Sequence, residues 1–296
     1  MASIRDFTEF AGDWGGCARD SFNLDAVAEL GLTRSHDGFQ SQRILTKTIE
    51  KQIIPRLLRA HRRASALPQR IARTRQPSAE EIIEFANLLL ECDIGVSAAF
   101  VEKMCHNGAT LEVIFLELFS PAARYIGRLW EKDTINFADV TIALCRLQQL
   151  LRELSEAFEA DGLASPVSQS ALLVAAPGDQ HTFGVFLVQE FFRRAGWHVQ
   201  GGSVASSREL VGLVRDGAYD VIGLSVSNDV AVEGLASVIR AVREAALPRT
   251  PCVMVGGRFF LDRPDCVSEV GADATAQDGR RAVLRVSSLL GLNALG

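Results

Sequence analysis

Apolar positions recur at helical spacing through the first half of the chain and as short unbroken runs through the second. Residues 1–40 mix Gly, Asp and Ser with few periodic apolar positions and read as loosely ordered. Ile44, Leu45, Ile49, Ile53, Leu57 and Leu58 then fall on one helical face, with Pro55 starting or kinking that helix. Pro68, Gln76 and Pro77 mark a linker. Ser78 followed by Glu81 has the form of a capping box, which predicts a helix start. Beyond it, Ile82, Ile83, Phe85, Ala86 and Leu89 form one apolar face and Val113, Ile114, Leu116 and Leu118 another. Phe137–Phe158 carries Val140, Leu144, Leu147, Leu151 and Leu154 at i, i+3, i+4 spacing. With breaks expected at Pro121 and over 130–136, this predicts a four- or five-helix bundle of about 80 residues.

After Ala164 strands alternate with helices. The expected order is a strand over 171–176 closed by Pro177-Gly178, a helix from His181 to Ala195, a strand over 197–200 and a helix over 208–215. A strand over 221–226, a helix over 232–246, a strand over 252–255, a helix over 264–270, a short strand near 272–274 and a helix over 279–290 complete it. Continuous apolar strands between helices predict a parallel sheet covered on both faces. The expected architecture is therefore α/β: an N-terminal extension over 1–76, a helical-bundle cap over 77–164 and a doubly wound, Rossmann-like domain over 165–296.

Composition changes this picture little. Apolar residues make up 48% and charged residues 23%, as in ordinary globular domains. No apolar run is long enough for a membrane span, and the N-terminus lacks the basic and apolar regions of a secretory signal, so the cytoplasm is expected. The six cysteines are scattered without a CxxC pair, which argues against a metal cluster or a disulfide framework. The net charge of −5 hides an asymmetry: residues 43–75 hold ten basic residues and one acid, Glu50. Such a segment can meet nucleic acid or an acidic protein face, or form a solvated helix face and linker; direct DNA contact is the less favoured of these.

Doubly wound sheets bind ligands at the carboxyl ends of their strands, and four loops there carry unusual chemistry. The first is Gly178-Asp179-Gln180-His181-Thr182-Phe183-Gly184. Asp179 can accept a hydrogen bond from one ring nitrogen of His181, fixing the tautomer and leaving the other as a metal ligand. Gly184 allows bulk close to the backbone. The others are Ser225-Val226-Ser227, Gly256-Gly257 and the segment containing Thr275-Ala276. Small residues in all four predict a cleft for a long, thick ligand. Taken singly, His181 could equally be a catalytic or core histidine, and Gly256-Gly257 an ordinary turn.

Jointly, Asp179-x-His181-x-x-Gly184, Ser225-x-Ser227 and Gly256-Gly257, separated by residues 185–224 and 228–255, resemble the DxHxxG…SxL…GG pattern of cobalamin-binding domains. The departure is Ser227, where that family has Leu or Thr. The resemblance implies that His181 is the lower axial ligand of cobalt and that the serine, glycine and Thr275-Ala276 loops line a channel for the displaced nucleotide tail. It implies adenosylcobalamin or hydroxocobalamin as cofactor. Haem, which also accepts an axial histidine, is the alternative, but it has no tail to use such a channel. In methyltransferase corrinoid proteins and cobalamin photoreceptors a helical bundle caps the upper face. Trp130 matches a photoreceptor tryptophan, whereas Val140-Thr141 stands where Glu-His is expected. Trp130 then either packs over the upper ligand or belongs to the bundle core.

The segment Thr48–His61, ahead of bundle and cofactor domain, is similar to the AerR/PpaA-type antirepressors of purple photosynthetic bacteria. That resemblance implies a light-responsive regulator, not an enzyme, which binds a DNA-binding repressor of the CrtJ/PpsR type. A corrinoid carrier of a methyltransferase system is the alternative. No GxSxG, HExxH or P-loop occurs, and the remaining histidines, 36, 61, 106 and 198, form no ligand spacing.

Overall fold

The computed structural model describes residues 74–162, 168–227, 232 and 234–292. The expectations for the extension up to residue 73, including nearly all of the basic segment, lie outside the described residues.

Helix α1, Ala79–Glu91, begins where the sequence places it: Ser78 caps the Glu81 amide, and the Glu81 side chain reaches back to the cap. Its buried face is Phe85, Ala86 and Leu89; Ile83, expected on that face, is 40% exposed. Helix α2, Ile94–His106, follows an Asp93 cap. The expected break at Pro121 is absent. Helix α3, Leu111–Val113, runs through a π-helical segment, Ile114–Phe119, into α4, Ser120–Glu131. The π segment shifts the hydrogen bonding by one residue, so that the Ser120 amide bonds the Phe115 carbonyl. Pro121 then enters the first turn of α4, where a missing N–H costs little. The break comes after Glu131, and Trp130 lies inside α4. Helix α5, Phe137–Ala160, starts at an Asn136–Asp139 capping box.

The second half is a four-stranded parallel sheet in the order β2-β1-β3-β4. The strands are β1 Ser170–Ala175, β2 His198–Gly202, β3 Val221–Ser225 and β4 Cys252–Gly256. The strand expected near 272–274 is a single bridge from Ala274 to Met254. Helices α6 Phe183–Arg194, α7 Ser207–Asp216, α8 Leu235–Ala245, α9 Arg258–Asp262, α10 Cys266–Glu269 and α11 Gly279–Leu289 connect and flank the strands. Three of these helices have bounds other than expected, and a fourth is new. Helix α6 starts at Phe183 rather than His181, α8 starts at Leu235 after the left-handed Gly234, α10 is shorter than 264–270, and α9 was not expected at all.

Alternation along β1 divides the core. Leu172 and Val174 face one layer with Leu210, Ile239 and Phe260, whereas Ala171, Leu173 and Ala175 face the other with Val185, Phe192 and Val286. This is a doubly wound sheet covered on both faces. The bundle has its own core, including Phe85, Phe115, Phe119 and Phe158, and that core extends onto Leu187 and Phe191 of α6. The cap thus rests on the helix that follows the first strand. No described helix is long and apolar enough to cross a membrane.

Candidate functional site

In the order 2-1-3-4 the chain leaves β1 and β3 toward opposite sides of the sheet, which opens a crevice between their carboxyl ends. The loop after β1 supplies Asp179 and His181, and the end of β3 supplies Ser227. The register pairs Ala175 with Ser225 and Ser225 with Gly256, so the serine and glycine loops lie side by side. The bridge at Ala274 brings Thr275-Ala276 to the same edge.

Asp179 is the hub. Its side chain is 1% exposed. Oδ1 accepts from the His181 amide at 2.9 Å, from His181 Nδ1 at 2.9 Å and from Ser227 Oγ at 2.7 Å. Oδ2 accepts from the Ser227 amide and, at 2.6 Å, from Ser227 Oγ. Ser227 Oγ also lies 2.7 Å from His181 Nδ1. Burial alone would raise the Asp179 carboxyl, but the hydrogen bonds from the His181 and Ser227 side chains and backbones hold it at about 2. The Asp179 hydrogen bond raises the His181 imidazole above its ordinary value, against the effect of burial, and the charges of Asp179 and Glu131 add to the rise. With Nδ1 held by the carboxylate, Nε2 has no partner among the described residues, and the ring is 65% exposed. This is a fixed imidazole presenting one nitrogen outward, the arrangement by which a second-shell carboxylate orients a metal ligand.

Ser227, expected to line the tail channel, also bonds Asp179 through its hydroxyl, which lies against His181. Val226 is fully buried in the sheet core and offers only backbone to the edge, its amide bonding Gly256 and its carbonyl Phe259. Gly257 has φ +93°, and a Cβ there would stand 2.2 Å from the Val226 carbonyl oxygen, so the loop lies flat on that peptide. By contrast, a Cβ at Gly184 or Gly256 would meet nothing within 4 Å. Thr275 Oγ1 is buried without a hydrogen-bond partner. An orphaned hydroxyl and two glycines facing open space fit a ligand that fills this edge. Gln180 is exposed, Thr182 and Ala276 are half-buried, and Phe183 is half-buried against the bundle core. Trp130 is 43% exposed, which removes the bundle-core alternative. Among the described residues there is no cluster of three or more His, Cys, Asp or Glu able to hold a metal.

The sheet half under the helical cap is a B12 binding domain: residues 169–287 match that family. The chain belongs to the family of the uncharacterized 20.5 kDa protein in bchF-crtJ intergenic region of Rhodobacter capsulatus, with which it is 32% identical over 157 residues, 53% of this chain and 81% of that one. Dimethylamine corrinoid protein 3 of Methanosarcina acetivorans is 25% identical over 210 residues, 70% of this chain and 95% of that protein. The solved monomethylamine corrinoid protein of Methanosarcina barkeri superposes with a TM-score of 0.58 at 16% identity, over 74% of this chain and all of that one, and so shares the fold.

Proposed function

We propose that this chain is a cobalamin-binding regulator in which His181 is the lower axial ligand of cobalt. The observation that carries the reading is the outward Nε2 of an imidazole whose Nδ1 is fixed by Asp179 and Ser227 at the crevice of the sheet. Ser225, Gly256, Thr275 and Ala276 would line the tail channel, where Thr275 Oγ1 awaits a partner. When bound, the cofactor supplies a cobalt whose upper ligand exchanges and, where that ligand is alkyl, is lost in light. The chain's own residues hold the lower nitrogen in place, and Trp130 at the end of α4 stands ready to sense the upper face. The output is binding of a DNA-binding repressor of the CrtJ/PpsR type, making the chain an antirepressor rather than an enzyme. Kinship with a protein of the bchF-crtJ intergenic region supports this.

A second reading, a corrinoid carrier of a methyltransferase system, is favoured by the match to a dimethylamine corrinoid protein over 95% of that protein's length. One set of experiments separates the two. The purified chain, given adenosylcobalamin or hydroxocobalamin, is expected to show a base-off, histidine-on absorption spectrum that changes on illumination of the adenosyl form, and His181→Ala is expected to lose it. Lit and dark forms should then bind a purified CrtJ/PpsR-type repressor with different affinities. Light-insensitive binding to the repressor, or none, together with methylation of the bound cofactor by a methylamine methyltransferase, would establish the carrier. Displacement of cobalamin by an equal concentration of haem would replace the corrinoid with haem.

A further inference from the structure

Among the described residues, ion pairs join the cap to the sheet half in two places of very different strength. The first is the seam where α5 and the start of α3 meet α6 and α11. Arg194 bonds Glu112 at 2.8 Å and Asp161 at 3.4 Å, and Arg280 adds a second contact to Glu112 at 3.2 Å. The Arg194 guanidinium lies 4.5 Å from the centroid of the Phe158 ring, which packs edge-on against Phe191 at 5.0 Å. The second is a single pair at the mouth of the crevice. Arg258 Nη1, next to Gly257, lies 3.4 Å from Glu131 Oε1 at the end of α4, and both side chains are more than half exposed. Such a pair contributes little, whereas the seam combines partly buried charges with aromatic packing. The cap is therefore anchored along α5–α6 and only lightly tied over the strand ends.

Both members of the weak pair belong to the site's surroundings. Glu131 follows Trp130, and its charge reaches the His181 imidazole. Arg258 opens the helix after the glycine loop and has a second carboxylate, Asp262, one turn along at 3.9 Å. It can thus exchange one partner for another without losing both. A macrocycle held at Nε2 would lie against the strand ends, the edge on which Arg258 follows the glycine loop.

We propose that the Glu131–Arg258 ion pair is a clasp: it closes the crevice of the unloaded protein, and seating a corrinoid on His181 opens it, releasing the end of α4 to swing about the α5–α6 seam. The proposal rests on the reading of His181 as cobalt ligand. Loading converts an exposed ion pair into a displacement of the cap, which is the two-state element a cofactor-dependent surface needs.

The test uses the full chain and hydroxocobalamin, with association followed by absorbance in a rapid mixing experiment and amide exchange measured over residues 129–137. Glu131→Gln and Arg258→Ala are each expected to speed association up to about fivefold, the equivalent of about 1 kcal/mol. The wild-type rate should climb toward theirs as salt screens the pair. The charge swap Glu131→Arg with Arg258→Glu should restore the slow rate. Exchange over 129–137 should be faster in the unloaded single variants than in the unloaded wild type, and faster in the wild type once loaded. Wild-type rates and wild-type exchange in both single variants would overturn the clasp. If the wild type takes up no cobalamin, the cofactor reading fails and opening by a corrinoid falls with it; exchange in the unloaded variants then still decides whether the pair holds the cap's end.

Discussion

Asp179 carries the site at the scale of single residues, and its environment has a consequence that does not need the cofactor. A carboxyl held at about 2 rather than in its ordinary range contributes stability at neutral pH that disappears as pH falls from about 4 through 2. The shift corresponds to something on the order of 2 kcal/mol. The raised His181 value acts at the other end: its contribution is complete below the ordinary histidine range and is lost as pH rises through the folded value. Asp179→Asn should therefore flatten the acid limb of a urea-denaturation series while lowering stability at pH 7 by about 1–3 kcal/mol, because the buried hydroxyl and amides lose a charged acceptor. An unchanged acid limb would show that the carboxylate is not the hub. The two glycines at the end of β4 should separate cleanly. Gly257→Ala meets the Val226 carbonyl at a positive φ and should cost about 3 kcal/mol or more of stability, read by thermal melting. Gly256→Val should melt near wild type but bind cobalamin roughly ten- to a hundredfold more weakly, since its side chain enters open space. The aspartate–histidine pairing could be read in the sequence because its partners are two positions apart. The Ser227 contact could not, because it depends on the register between β1 and β3.

Periodicity located the helices and strands, and where it failed the cause was a local hydrogen-bonding choice. Pro121 looks like a stop in any 3.6-residue reading; the π segment before it absorbs the missing donor, so α3, the π segment and α4 form one continuous rod. Helix α6 starts two residues later than its apolar pattern allows because Asp179 takes the His181 amide and ring for the loop. The seam between α5 and α6 was invisible in the pattern, since each helix reads as amphipathic without naming its partner. Arg194 is its polar anchor. Arg194→Ala removes a partly buried ion pair to Glu112, a weaker one to the exposed Asp161 and a cation–π contact to the buried Phe158, and should cost about 2 kcal/mol. In urea, the near-ultraviolet signal of the bundle should then melt before that of the sheet; coincident transitions at wild-type stability would show that apolar packing alone holds the seam.

At the scale of the whole molecule the layer architecture and the carboxyl-edge site were legible, because alternating strands and helices admit few topologies. The stability of the joint between the parts was not. Glu190 lies on α6, 7% exposed, with Oε2 unpartnered. Burial pushes its carboxyl up, against hydrogen bonds from Ser155 and Arg193 and with the charge of Glu159 adding to the rise. Because the folded value exceeds the ordinary one, the protein loses stability as pH climbs through that value. Glu190→Gln should thus melt higher than wild type at pH 8, by a few degrees or about 1 kcal/mol, with little difference at pH 4. An equal gain at both pH values would point to shape rather than charge. The sheet order has a further effect. Asp179 and Ser227 stand 48 positions apart and meet only once β1 and β3 are paired, so a fragment lacking either strand lacks this contact. A ligand that recognises only the finished sheet draws the folding equilibrium toward it, by about 2.7 kcal/mol when free ligand stands at a hundred times its dissociation constant. Supply of such a ligand would then set not only how much of the protein is loaded but how much of it survives in the cell.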